Sequence, residues 1–151
     1  MNPEAGHVQK AVGFIMRSSE SGQHQLLGYL SDPGVPYRFV GGKVEAGEEP
    51  EAALLREIRE ESGLTGLTIV RKLGVQNYYK PYIAAYVVRH DYLLVPTMKL
   101  PERWEHVVTG SGGDDGAVFR FEWLNSGEHD RIDPEFRDLV RDAYIPELFN
   151  V

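Results

Sequence analysis

Gly42 to Leu64 reads GKVEAGEEPEAALLREIREESGL, a glycine-rich turn running into a segment whose apolar and acidic residues recur at helical spacing. At about 100° per residue, Glu60 lies roughly 60° to one side of Glu57 and Glu61 roughly 40° to the other, so the three acids share an arc of about 100°. Leu54, Leu55 and Ile58 fall in a neighbouring arc. One side of this helix therefore offers itself to a core and another concentrates negative charge. Carboxylates four apart, as Glu57 and Glu61 are, cost roughly 0.2–0.5 kcal/mol in an isolated helix. A bound cation reverses that sign, and Ala53, one turn earlier in the acidic arc, is small enough to leave room for an ion or a phosphate.

The donors in this arc are carboxylate oxygens, and the chain has no cysteine. The expected ion is a hard one that keeps part of its water shell, Mg²⁺ or Mn²⁺ rather than Zn²⁺. The chemistry implied is phosphoryl or nucleotidyl transfer to water: a carboxylate orients or deprotonates the attacking water while metal neutralises charge on the bridging oxygens.

Written as a pattern, the stretch is Gly42, five residues, Glu48, seven residues, Arg56-Glu57-Ile58, one residue, Glu60-Glu61, one residue, Gly63-Leu64. At every specified position it resembles the signature box of the Nudix hydrolases. Ordinary residue frequencies would produce such a match at about one start position in a billion. The box covers a small part of the chain, while the family's domain would take in residues 1–151 as a single unit.

The resemblance implies an α/β/α sandwich around a mixed β-sheet. It implies a Mg²⁺-dependent pyrophosphohydrolase, with Mn²⁺ as a substitute, acting on a nucleoside diphosphate linked to another moiety: a nucleoside triphosphate, a nucleotide sugar or a dinucleoside polyphosphate. Glu57, Glu60 and Glu61 match the family's metal ligands or base, joined by the carbonyl of Gly41. Arg56 matches the arginine that pairs with the glutamate at Glu48 and holds the loop against the helix. Gly42 and Gly63 would meet backbone needs at the two ends of the box. The chain departs from the common pattern at Val40, where many relatives carry proline, which leaves the catalytic set untouched. Nudix-like domains also serve as ligand sensors without turnover, a role the intact glutamate set argues against. The fold hosts an isoprenoid diphosphate isomerase as well, an activity that commonly uses a cysteine.

Composition agrees with a small enzyme. At 151 residues the chain is long enough to bury most of its potential surface as one domain. With 42% hydrophobic and 26% charged residues it is neither disordered nor membrane-like, and no apolar run approaches the roughly 20 residues needed to span a bilayer. A formal charge of −7 argues against sequence-independent binding of a nucleic-acid polymer. The first residues, MNPEAGHVQKAV, lack a basic region followed by an apolar core, so no export signal is expected and a cytoplasmic location follows by default. Absent cysteines exclude disulfides and thiol catalysis.

His7 to Arg17 and Gln23 to Leu30 read as a strand pair around the polar cluster Ser18 to Gly22. Ser31 to Pro36 is a loop, and Tyr37 to Val40 a short strand delivering the chain to Gly41. The box helix runs from about Glu49 to Ser62, with Pro50 in its first turn. Leu67 to Val75 and Tyr82 to Val95 read as strands, with Arg89, His90 and Asp91 suggesting a bend. Pro96 to Gly116 reads as irregular, Ala117 to Leu124 as a strand, and Asp133 to Tyr144 as a helix capped by Asp133. The pattern suits a sheet covered by helices on both faces.

Other candidates follow from position. Relatives often add one late acid to the metal site, and Glu122, before Trp123, resembles that position; a solvent-facing strand residue is the competing reading. Asp114 and Asp115 lie in a glycine-rich loop, TGSGGDDG, that lacks the Gly-Lys-Ser/Thr ending of a P-loop. Glu105 and His106 fall in the irregular segment as base candidates. For the substrate, Phe39 and Tyr79 are rings on which a base can stack, alongside Tyr37, Tyr78 and Tyr82, and Arg38, Lys43 and Lys80 are cations that can meet a phosphate. Core packing is the commoner use of strand aromatics. Many relatives form homodimers, which extends to this chain by analogy only.

Overall fold

Six consecutive residues, Ala11 to Met16, are buried in the first strand, so that strand must be covered on both faces. The computed structural model describes residues 7–110 and 114–149. Strands β1 (His7–Ser18) and β2 (His24–Leu30) lead to a three-residue strand β3 (Gly41–Lys43) and helix α1 (Pro50–Ser62). Strands β4 (Leu67–Lys80), β5 (Ala85–Pro96), β6 (Arg103–Val107) and β7 (Val118–Leu124) follow, then the short helices α2 (Pro134–Arg137) and α3 (Pro146–Phe149).

The sheet runs β4-β5-β1-β2-β7-β6, with β3 paired to β1. Among the described strands β1 and β5 pair in parallel and the other pairs are antiparallel, giving a mixed sheet. Alternation along the strands sorts the core into two layers. Ala11, Ile15, Tyr92 and Leu94 pack with Leu54 and Ile58 of α1. Val12, Phe14, Met16 and Leu93 face the other way, onto Phe136, Leu139, Val140 and Leu148 of the C-terminal segment. Helical elements thus cover both faces of the sheet, as the alternation implies. No helix among the described residues is long and apolar enough to cross a membrane.

Several elements differ from the sequence reading. Tyr37 to Val40 is not a strand: Tyr37 and Arg38 make isolated bridges to Ile132 and Tyr29. β4 continues to Lys80, with register shifts at Ile69/Arg71 and Lys72/Gly74 absorbing its irregular alternation. Arg89, His90 and Asp91 form no bend but lie inside β5, because Arg89 and Asp91 neutralise each other at 2.8 Å within the core. β6 occupies part of the segment read as irregular, sharing its register with β7. The C-terminal helix stops at Arg137. Asp133 does cap it, accepting from the Glu135 amide at 2.9 Å, but Leu139 and Val140 continue in turns that donate three residues back. Residues 1–6, half of the stretch read as lacking an export signal, and 111–113 of the glycine-rich loop lie outside the described residues.

Candidate active site

The box helix begins with Pro50 in its first turn and ends at Gly63, whose φ of 77° is a left-handed cap that an L side chain rarely adopts. Its Leu54 and Ile58 faces are closed against the sheet, whereas Leu55, expected beside them, is 42% exposed. This rotation fixes where the acids point. Glu61 is buried and accepts the Gly41 amide at 2.8 Å, which ties the helix to the start of β3.

Arg56 is the hub of the remaining acids. Its Nε and Nη2 bind the Glu48 carboxylate at 2.9 and 3.0 Å, and Nη2 also donates to the Lys43 carbonyl at 3.0 Å. Its Nη1 reaches Glu57 at 2.9 Å and Glu60 at 3.3 Å. Glu48 closes the loop by accepting the Glu45 amide at 3.0 Å. The planar guanidinium, with donors spread around its edge, can hold loop, strand and helix at once, which a point-charge ammonium cannot.

Three glycines allow the close approaches. A Cβ on Gly42 would stand 2.5 Å from Glu57 Oε2, so this position is bare to admit a carboxylate. A Cβ on Gly41 would stand 2.7 Å from the Val12 Cα, too close for a side chain where β3 meets β1. Gly110, which the sequence reading passed over, does the same for Glu60. With φ 109° it lies where a Cβ would be 2.6 Å from Glu60 Oε2, while the neighbouring Thr109 amide donates to the Glu60 carbonyl at 3.0 Å. The unusual φ, available to glycine, lets the late loop close against the helix.

Burial is the main force on the Glu61 acid, pushing it up to about 8; the Gly41 amide opposes, and the charges of Glu57 and Asp114 add to the rise. Burial also raises Glu57, against the pull of Arg56. The Arg56 hydrogen bond holds Glu48 down at about 2. Among the described residues no three acids or histidines close on a single point, because Arg56 draws Glu57 and Glu60 toward itself. Three carboxylates, Glu48, Glu57 and Glu60, nevertheless surround one guanidinium, with a fourth, Glu61, buried against the Gly41 amide, and this excess of oxygen-borne charge fits a hard divalent cation.

Not every candidate joins this cluster. Glu122 faces the opposite side of the sheet: Phe119 and Phe121 take the α1 side, so strand alternation turns Glu122 toward the Tyr37 hydroxyl, which donates to it. Phe39 is 2% exposed, tilted against Phe14 and edge-on to Phe136, so core packing takes both of its faces and none is left for a base. Arg38 is engaged by Asp133 at 2.8 Å and Glu135 at 3.1 Å on that same face. Lys43, within the box, is exposed. Tyr79 is 49% exposed and edge-on to Tyr86, keeping ring surface open near the tip of the β4-β5 hairpin, where Tyr82 is 93% exposed. Glu105 pairs with Arg120 at the surface, and the His106 ring packs over Gly63; neither reaches the box acids. A cleft of 770 Å³ at the Ser18 end of β1, lined by Arg17, Gln25, Leu100 and Trp123, contains none of the box residues.

The structure also turns toward the core charges that the sequence placed at a bend, Arg89 and Asp91, or gave no role, Lys10. Arg89 and Asp91 lie at the core-facing parity of β5, with Val87 and Leu93, and Lys10 lies at the parity of Val12 and Phe14 in β1. Charged residues at core parity in otherwise apolar strands were the available signal.

The NUDIX domain model matches residues 8–143. An 8-oxo-dGTP diphosphatase of Escherichia coli is 35% identical over 92 residues, 60% of this chain and 62% of that protein. One from Haemophilus influenzae is 45% identical over 62 residues, 40% of this chain and 44% of that protein. The matches therefore span about half of these relatives' lengths. Among solved structures, a Caenorhabditis elegans Ap4A hydrolase binary complex superposes with a TM-score of 0.66 at 21% identity, covering 90% of this chain and 94% of the other. A MutT protein from Methanosarcina mazei gives 0.62 at 18% identity, covering 95% and 96%. At these identities the structural likeness speaks for the fold.

Proposed function

Because the chain belongs to the Nudix family, its residues 8–143 matching that domain, we propose that it is a Mg²⁺-dependent pyrophosphohydrolase of a nucleoside diphosphate linked to a second moiety. The observation that carries this reading is the box itself: three glutamates on one helix face, Glu57 and Glu60 held by Arg56 and admitted by the bareness of Gly42 and Gly110, and Glu61 held by the Gly41 amide. Glu57, Glu60, Glu61 and the Gly41 carbonyl are the groups that would hold the cation. A divalent ion there supplies charge neutralisation on the phosphate oxygens and makes water a better nucleophile at neutral pH.

The chain's own residues then divide the work. A box glutamate takes the proton of the water that attacks phosphorus. Arg56 and Glu48 position the glutamates, the lower edge of the loop being tied to the helix through them. Lys43, within the box and exposed, offers a cation to the substrate's phosphates, and the open ring of Tyr79 offers a stacking surface to a base. The 8-oxo-dGTP diphosphatases and the Ap4A hydrolase point to a nucleoside triphosphate or a dinucleoside polyphosphate as the first compounds to try.

The test is product release from nucleoside triphosphates, including oxidised ones, dinucleoside polyphosphates and nucleotide sugars, with and without Mg²⁺, running Glu60→Gln and Glu61→Gln beside the wild type. Metal-dependent turnover that falls by orders of magnitude in both variants supports the assignment. Binding without turnover of any compound would instead favour a sensor.

A further inference from the structure

On the face of the sheet away from α1, one carboxylate is ringed by cations. Glu135 accepts the Tyr78 hydroxyl at 2.6 Å, Lys80 Nζ at 3.0 Å and Arg38 Nη2 at 3.1 Å. Lys10, half-buried in β1 and the register partner of Arg89, lies beside this group without a carboxylate of its own: among the described residues it makes no ion pair. Burial lowers its pKa most, and the charges of Lys80 and Arg38 lower it further against the pull of Glu135.

The charges do not balance. Asp91 neutralises Arg89 inside the core, and Asp133 and Glu135 serve Arg38 and Lys80. Lys10 is left over. A desolvated ammonium among like charges works against folding, and local violations of that kind mark places where a chain binds something. The missing partner is an anion, and the cluster lies near the box in the fold. Lys10 is the register partner of Lys43, one residue beyond Gly42, and Arg38 lies in the segment that leads into Gly41. Tyr78, Arg89 and Glu135 also wall a cleft of 310 Å³, so the cluster adjoins open volume.

We infer that Lys10, Arg38 and Lys80, with the Tyr78 hydroxyl, form a subsite for a substrate phosphate remote from the bond that is cleaved, and that the Glu135 carboxylate is its internal competitor. This deepens the pyrophosphohydrolase reading and rests on it for the word substrate. Phosphate oxygens satisfy the unmatched ammonium and share the Lys80 and Arg38 donors that Glu135 now holds. A far phosphate of a polyphosphate chain and a phosphate carried on a ribose present the same oxyanion to this site.

Inorganic tripolyphosphate titrated calorimetrically in EDTA tests the subsite without any contribution from metal at the box. The wild type should bind it, Lys10→Met should bind at least about tenfold more weakly, the scale of one charge-assisted contact, and Glu135→Gln should bind more tightly. Lys99→Met, an exposed lysine at the far cleft, should match the wild type. Lys10→Met should also melt above the wild type in the absence of anion, since it deletes the unmatched charge. Steady-state rates then separate the sources. A KM raised in Lys10→Met for a dinucleoside tetraphosphate assigns the polyphosphate chain, and one raised for a ribose-phosphorylated nucleotide sugar assigns the ribose phosphate. Tripolyphosphate binding unchanged in Lys10→Met, or absent from both the wild type and Glu135→Gln, overturns the subsite. If that happens while Mg²⁺-dependent turnover is intact, the subsite falls alone.

Discussion

Replacing Glu135 by glutamine should destabilise the fold in a pH-dependent way whose size and sign follow from its surroundings. Burial would raise the Glu135 acid, but the Tyr78 hydrogen bond and the charges of Arg38 and Lys80 outweigh it and hold the group at about 2 against an ordinary 4.5. At about 1.4 kcal/mol per pKa unit, the native state favours the carboxylate by at most about 3 kcal/mol. The side chain is only 13% exposed, so solvent screening takes a modest part of this. Glutamine keeps the shape and an acceptor for Tyr78 while removing the charge, so the variant should lose about 2–3 kcal/mol at pH 7. Because the folded pKa is depressed, this stabilisation is complete above the unfolded value near 4.5 and is lost as pH falls toward 2. Urea unfolding of both proteins at pH 7, 5, 4 and 3 should show the gap between them constant down to about pH 5 and narrowing by about 1.4 kcal/mol per unit below it. A gap as wide at pH 3 as at pH 7, or no gap at pH 7, would refute the account of the cluster.

Gly42→Ala places a methyl against the Glu57 carboxylate and should cut turnover by about a hundredfold through displaced geometry, with little change in melting temperature. Gly127→Ala, whose added Cβ meets nothing within 4 Å, is the control and should behave as wild type. Arg56→Lys should lose roughly 10- to 100-fold in activity despite keeping its charge, because an ammonium cannot hold Glu48, Glu57 and the Lys43 carbonyl together; a rate near wild type would show that charge alone suffices. Asp91→Asn leaves the guanidinium of Arg89, 1% exposed, with the neutral Glu135 carbonyl it already binds and without its counter-charge, and should cost about 3–5 kcal/mol in denaturant unfolding.

The box was legible because its information is local. One helix turn fixes which of Glu57, Glu60 and Glu61 share a face, and Pro50 and Gly63 mark the ends of the helix by their own backbone preferences. The same holds for β1, β2 and β7, where apolar patterning and turn residues announce strands. Period and spacing operate over a few residues, so a reader of the chain has all the terms needed.

The rest depended on what lies across the sheet. Strand parity could turn Glu122 to either face, and only the pairing of β7 with β2 aims it at Tyr37 rather than at the box. Arg89 and Asp91 looked like a break in β5 because a charge in a strand is costly until its partner is known; paired two residues apart, they continue it. Gly110 meets Glu60 from a loop distant in sequence, and Lys10, Arg38, Lys80 and Glu135 converge from separate elements of the fold. The sequence by itself determined the helix that carries the acids and the chemistry those acids admit. Tertiary structure decided which other charges confront one another, because electrostatic energy is set by distance and burial, and neither exists until the sheet has assembled.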